Sequence, residues 1–231
     1  ATRSPRRSPA EHHVHRFARF SRIPFAPLGV AIAVVGLTSP AYASDPLDTS
    51  YGRVDGDVSL VLGVGATIAP RAPRPAADFR LRYLDTLGAF ATYEESFGID
   101  TEPRRLLAFG AELRPLFLGR WLQGYEFGSA RADLLLDSLG LEIGAFFAQP
   151  KDRTFGDVRG LQAGIGVEAP LMERAKGLWV GFHGGARWSD DVFEGAAVGS
   201  PADRSLYLTI TLSWHVYVGA HVVDVGDKRI E

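Results

Sequence analysis

Leu206-Tyr207-Leu208-Thr209-Ile210-Thr211-Leu212-Ser213-Trp214-His215-Val216-Tyr217-Val218 alternates without a break. Leu206, Leu208, Ile210, Leu212, Trp214, Val216 and Val218 share one face. Tyr207, Thr209, Thr211, Ser213, His215 and Tyr217 share the other. Side chains alternate across a β-strand with period two, so this stretch reads as an amphipathic strand. It exceeds the roughly 5–6 residues usual in soluble proteins and suffices for a tilted bilayer crossing of about 9–11.

The same pattern recurs upstream. Val58–Ile68 puts Val58, Leu60, Leu62, Val64, Ala66 and Ile68 on one face. Further strands are expected over 79–93, 106–117, 133–147, 161–169 and 178–188. Breakers and charges separate them at 70–75, 98–103, 150–157, 170–177 and 189–203. This gives seven strands, and closed bacterial barrels have an even number. The eighth is expected near Ser50 to Asp55, around Trp121 to Phe127, or from a long segment split in two. Two segments carry an echo suited to such a split, Leu84-Asp85-Thr86-Leu87-Gly88 and Leu136-Asp137-Ser138-Leu139-Gly140. Alternation slips at each, which a β-bulge would repair. A tight hairpin is the rival, at the expense of strand length. Within 115–124, Pro115 and Gly124 frame an apolar run that reads either as a short interfacial helix or as strand and loop.

Alternation alone does not say which face points inward. Three features favour an apolar outside. The strands are long. The polar face mixes glycines (Gly63, Gly65, Gly110, Gly164, Gly166, Gly181, Gly185) with ions, as a narrow, filled lumen requires. A water-facing surface would be rich in lysine, and the chain has only Lys151, Lys176 and Lys228.

The third feature is an export signal. Arg16, Arg19 and Arg22 precede the apolar run Phe25 to Leu37, which ends in Ala41-Tyr42-Ala43. A basic start, a short apolar centre and an A-x-A end form a secretory signal peptide. Cleavage after Ala43 removes six of the 25 basic residues and one of the 27 acidic residues, leaving a net charge of −7. No basic patch remains for nucleic acid. With no cysteine, disulfides, thiolate metal sites and cysteine nucleophiles are excluded.

The fold class is therefore all-β, an antiparallel up-and-down transmembrane β-barrel of eight strands, with ten as the alternative. Residues 1–43 form the removed leader, 44–56 a lead-in, 57–223 the barrel and 224–231 a tail. The chain resembles small Gram-negative outer-membrane β-barrel proteins of the eight-stranded size class. Arg82-Tyr83-Leu84-Asp85-Thr86, Glu112-Leu113-Arg114-Pro115-Leu116-Phe117 and Asp137-Ser138-Leu139-Gly140-Leu141-Glu142 resemble an uncharacterised family of that kind, from which no activity transfers. The resemblance implies an outer-membrane location, a periplasmic lead-in, bilayer lipid as partner and the barrel-assembly machinery during biogenesis.

Ions inside such a lumen must pair. Arg80, Arg82, Arg114 and Arg187 are expected to meet Glu112, Asp137, Glu142 or Glu168. Tyr83, Tyr93, Phe117, Trp121, Trp188 and Trp214 are candidates for aromatic girdles. Gly160 to Gly166 lies within a strand with no helix after it, which excludes a nucleotide loop. If 178–188 and 206–218 pair with Arg187 opposite Tyr207, His183 faces Thr211 and Trp179 faces His215. That separation disfavours a metal site, and Ser213 with His215 does not match the His-x-Ser order of outer-membrane deacylases. No catalytic, cofactor or metal site is expected. The favoured function is a narrow, side-chain-filled barrel that is structural or binds through its loops. The alternatives are a barrel enzyme acting on lipid A or phospholipid, a small pore, and a soluble periplasmic lipocalin-like barrel.

Intact-mass analysis of the exported protein should find Ser44 at the N-terminus. An N-terminus before Phe25 would refute the signal peptide.

Overall fold

In the computed structural model, eight antiparallel strands pair each with the next, and the last closes on the first. The structure describes residues 50–70, 73–97, 103–125, 128–151, 153–190 and 204–220. The expected signal peptide and C-terminal tail lie outside these residues. The elements are β1 (Val58–Ile68), β2 (Arg74–Tyr83), β3 (Leu87–Glu95), β4 (Arg105–Leu113), α1 (Leu116–Gln123), α2 (Ala130–Asp137), β5 (Gly140–Gln149), β6 (Val158–Pro170), β7 (Gly177–Ser189) and β8 (Arg204–Val218). Closure leaves no strand edge unpaired.

Burial is the reverse of a soluble barrel. On β8, Tyr207, Thr209, Thr211, Ser213, His215 and Tyr217 are all buried. Leu206 on the opposite face is 71% exposed, and Leu62 and Ile143 on other strands are 61% and 65% exposed. Arg80, on the inner face of β2, is 1% exposed. A lipocalin-like barrel would bury Leu, Ile and Val and leave Arg and Glu outside. Here those positions are exchanged.

The eighth strand comes from the 79–93 segment, which is a hairpin and not a bulged strand. Tyr83, Leu84, Asp85 and Thr86 form a turn in which Thr86 N–H donates to Tyr83 O at 3.1 Å. Leu84 and Asp85 have φ of 46° and 50°. Positive φ at both central positions marks a type I′ turn, whose twist matches the flanking strands. Neither residue is the Asn or Gly that this turn favours, which is why the sequence left the hairpin as the rival of a bulge. Tertiary bonds offset the strain, because Asp85 accepts from Ser59 Oγ and Tyr217 OH, both at 3.3 Å. The strands remain long enough, at 10 and 9 residues, because β2 starts at Arg74 within the stretch read as a breaker. Pro75 sits one residue from the strand end, where a missing donor is tolerated.

The second echo resolves differently. Residues 133–147 divide into α2 and β5 with the boundary at Asp137 to Gly140. Ala130-Arg131-Ala132 and the leucines that follow favour helix. Leu134 is fully buried in a cluster with Ala175, Trp179 and Tyr217. Likewise 106–117 ends as a strand at Leu113, and α1 follows. Pro115 occupies its N-cap, needing no N–H partner there, and Gly124 ends it with a φ of 65°. Both helices belong to the link between β4 and β5, at the barrel end where β1 begins and β8 finishes.

The β7–β8 register also corrects an expectation. Arg187 pairs with Ser205, His183 with Thr209 and Trp179 with Ser213, two residues from the expected alignment. A two-residue shift preserves which side chains face inward, so alternation does not detect it.

Replacing Leu84 with Asn should stabilise the barrel by about 1 kcal/mol, because Asn tolerates left-handed backbone. Asp85→Ala should destabilise it by about 1–3 kcal/mol through the donors it leaves buried. Equilibrium unfolding in urea reads both, and equal signs for the two variants would refute this account.

Candidate functional site

The inward face of β2 reads Arg74, Ala76, Asp78, Arg80 and Arg82, all buried. These side chains, with partners from β3 to β8, fill the lumen in layers. Nearest the end opposite the helices, Glu94 accepts from Arg74 at 2.6 and 2.9 Å and from Arg187 at 2.7 Å. Arg187 also donates to Gln162 Oε1 at 3.0 Å and lies 4.1 Å from the centre of the Tyr207 ring.

The middle layer is denser. Arg80 donates to Asp78 at 2.7 Å, to Glu112 at 3.0 Å and to Glu142 at 2.6 Å. Arg82 donates to Glu112 at 3.1 Å and to Glu168 at 2.9 Å. Arg114 donates to Glu112 at 2.7 Å and also to Glu168. Thr92 supports Asp78 at 2.8 Å. His183 Nδ1 shares a hydrogen bond with Glu142 at 2.8 Å, its proton position set by the tautomer. Glu168 stands at the centre, with Nε2 of His183 and of His215 each 3.6 Å from its carboxylate.

The third layer closes the helix-bearing end. Arg53 donates to Asp137 at 2.6 Å and lies 4.5 Å from the centre of the Phe117 ring. Arg120 bonds Asp133 and Asp137, and Tyr51 OH donates to Asp133 at 3.1 Å. Burial opposes the Arg120 charge, but its bonds to the two aspartates outweigh that and hold its pKa above the ordinary value. Ser138 Oγ donates to the carbonyl of Glu168 at 2.7 Å and accepts from its N–H at 2.8 Å, joining the helical insert to β6.

The sequence-derived residues therefore divide. Arg80, Arg82, Glu112, Arg114, Glu142 and Glu168 meet in the middle layer. Arg187 lies in the first layer and pairs with Glu94, none of the four acids named for it. Asp137 ends α2 and serves Arg53 and Arg120 in the closing layer. Phe117 is buried beneath Arg53, so it belongs to no girdle. Sequence reasoning missed Arg74, Asp78 and Glu94. Arg74 and Asp78 share the parity of Arg80 and Arg82, a signal hidden by starting that strand at Phe79. It also missed Arg53, which only the chain path brings to Asp137.

Glycines make the room. A Cβ on Gly166 would fall 2.4 Å from His183 Nδ1 and 2.9 Å from Glu142 Oε1. The pair exists because β6 presents no side chain there.

Chemically the lumen is built to pair charges. Ser213 Oγ lies 3.3 Å from His215 Nε2, and Glu168 approaches the same nitrogen at 3.6 Å. A hydrolytic triad needs its acid on the opposite ring nitrogen, where it orients the base. Ser213 and His215 are also buried, and the His215 ring stacks on Trp179 at 4.6 Å. Among the described residues, no group of three or more His, Asp or Glu is placed to hold a metal. A cleft of about 10 Å³ in the insert, between Arg53 and Trp121, has space for roughly one water.

No protein-family model and no curated protein matches the chain. Among solved structures, it is similar to the crystal structure of the N-terminal β-barrel domain of Pseudomonas aeruginosa OprF. That likeness has 8% sequence identity and a TM-score of 0.44, and covers 70% of this chain and 98% of that one.

Glu168→Gln should cost about 3–5 kcal/mol, because Arg82 and Arg114 stay buried with one carboxylate fewer. Gly166→Ala should also destabilise the barrel, whereas Gly119→Ala, with nothing within 4 Å of the new Cβ, should be neutral or stabilising. Unfolding midpoints test the set. Tolerance of Glu168→Gln at wild-type stability would refute the central role of that carboxylate.

Proposed function

We propose that this protein is an outer-membrane β-barrel with a narrow, side-chain-filled lumen, acting structurally or by presenting its loops for binding. The observation that carries the reading is the exchange of faces, with most of the large Leu, Ile and Val side chains of the strands outside and Arg, Glu and His inside. In water, each Leu or Ile left outside forgoes up to about 1.5–3 kcal/mol. In a bilayer that surface is the favourable one, and a closed barrel also satisfies the backbone. Strands of 9 to 15 residues suit a tilted crossing of about 9–11. An even strand number puts both ends of the barrel chain on one side, which the expected export signal would make periplasmic.

The filled interior supports a barrier over a pore. Arginines from β2 and β7, and Arg114 just beyond β4, reach acids on other strands through two layers of pairs. Eight strands leave space for such filling and no wide aqueous channel. The protein is then a scaffold that presents its connections.

The folded protein should migrate differently from the heated one on a gel of outer-membrane fractions. In planar bilayers it should show little steady conductance. Large, long-lived openings would overturn the filled-lumen reading, and fractionation away from the outer membrane would overturn the location. Ile210→Arg, near the middle of the outer face of β8, should cost about 2–4 kcal/mol in lipid.

A further inference from the structure

α1 has an inner side and an outer side with different surroundings. On the inner side Phe117 is buried, and Arg120 reaches Asp133 and Asp137. On the outer side Leu118, Trp121 and Leu122 follow i, i+3, i+4 spacing, which aligns them along one stripe. Trp121 and Leu122 are exposed, Leu122 at 74%, and Tyr125 just past the Gly124 stop is exposed at 67%. The Trp121 ring stacks on Phe117, with centroids 6.1 Å apart, so the stripe is held in place from within. An eight-residue helix is marginal alone and depends on packing, yet Trp121, which also borders the cleft beside Arg53, stays 37% exposed and Leu122 74%.

The stripe follows closely in the chain on a surface already described. α1 follows Leu113, the exposed last residue of β4, after only Arg114 and Pro115. Leu113 pairs with Leu141 on β5, which is also exposed. Leu139 between α2 and β5, and Leu171 and Met172 after β6, extend the exposed apolar surface at the same barrel end. Exposed apolar side chains thus occur both at these strand ends and, a few residues on in the chain, on the helical insert. Those on the insert include a tryptophan and a tyrosine, the side chains that partition to the headgroup level.

We propose that α1 lies in the interfacial layer of the periplasmic leaflet, with Leu118, Trp121, Leu122 and Tyr125 seated against lipid. This rests on the membrane reading above and adds a second contact to it. The occupant is lipid because α1 leaves β4 only two residues after the exposed Leu113, at the barrel end where Leu139, Leu141, Leu171 and Met172 are also exposed. Its inner side meanwhile holds Arg120 against Asp133 and Asp137, so the same helix ties the bilayer surface to the lumen's closing layer. No basic residue lies on the stripe, so zwitterionic lipid is sufficient for the contact.

The chain has no cysteine, so single-cysteine variants of the full protein report position directly. Leu122→Cys, Ile210→Cys and Arg131→Cys are labelled with an environment-sensitive fluorophore. Arg131 is a water-facing control, its side chain 62% exposed. Each is folded into phosphatidylcholine vesicles brominated near the headgroup end or the methyl end of the acyl chain. Gel heat-modifiability confirms folding of each variant. At position 210 both lipids should quench, the deep one more. At position 122 the shallow lipid should quench several-fold more than the deep one, and position 131 should stay unquenched. Quenching at 210 with none at 122 would overturn the helix placement and leave the membrane reading standing. Deep quenching at 122 equal to that at 210 would also overturn an interfacial position. No quenching at 210 would overturn the membrane reading itself.

Discussion

A carboxylate enclosed by cations inside the lumen is the constraint on which much else depends. Glu168 is 1% exposed and accepts from Arg82 and Arg114. Ions taken out of water are tolerated only where geometry returns what hydration supplied. Arg80, Arg82 and Arg114 therefore each reach more than one acid, and Glu112 and Glu168 each serve more than one arginine. Such sharing demands alignment across strands that are distant in sequence. Arg82 and Glu168 lie 86 residues apart, and Arg187 and Glu94 lie 93 apart. The pairing can be satisfied only once the barrel has closed.

That requirement extends to features which look unfavourable alone. The Leu84-Asp85 turn spends conformational energy, yet it returns Asp85 to the mouth of the lumen, beside Ser59 and Tyr217. Gly166 weakens a strand by its lack of a side chain, yet it opens the space that His183 and Glu142 share. Local cost and distant gain belong to the same design.

The helical insert extends the layering beyond the strands. Arg53, Arg120, Asp133 and Asp137 repeat, outside the barrel proper, the arginine–carboxylate pairing of the interior. Leu134 and Trp179 add a buried apolar contact at this end, as Leu106, Ala108, Phe146 and Ala148 do within the barrel. The lumen is thus shut at this end by a small conventional core, placed beneath the ions.

How much was legible follows from what each signal needs. Period-two alternation needs only neighbours, so β1, β6, β7 and β8 were read close to their true extents from sequence. The same alternation identified Arg80, Arg82, Glu112, Arg114, Glu142 and Glu168 as sharing the polar face. Distant information decided the rest. The split at Leu84 stood in the sequence as the rival of a bulge and only the folded turn decided between them, while the helix at Ala130 was hidden because apolar leucines suit either period. Register between β7 and β8 escaped because a shift of two leaves every side chain on its own face. Asp137 looked like a lumen acid and became a partner of Arg53, since only the folded path of the insert brings them together. The sequence by itself determined which residues turn inward, because that depends on local geometry. Which inward charges meet was decided by closure of the barrel, because electrostatic pairing depends on distance in space.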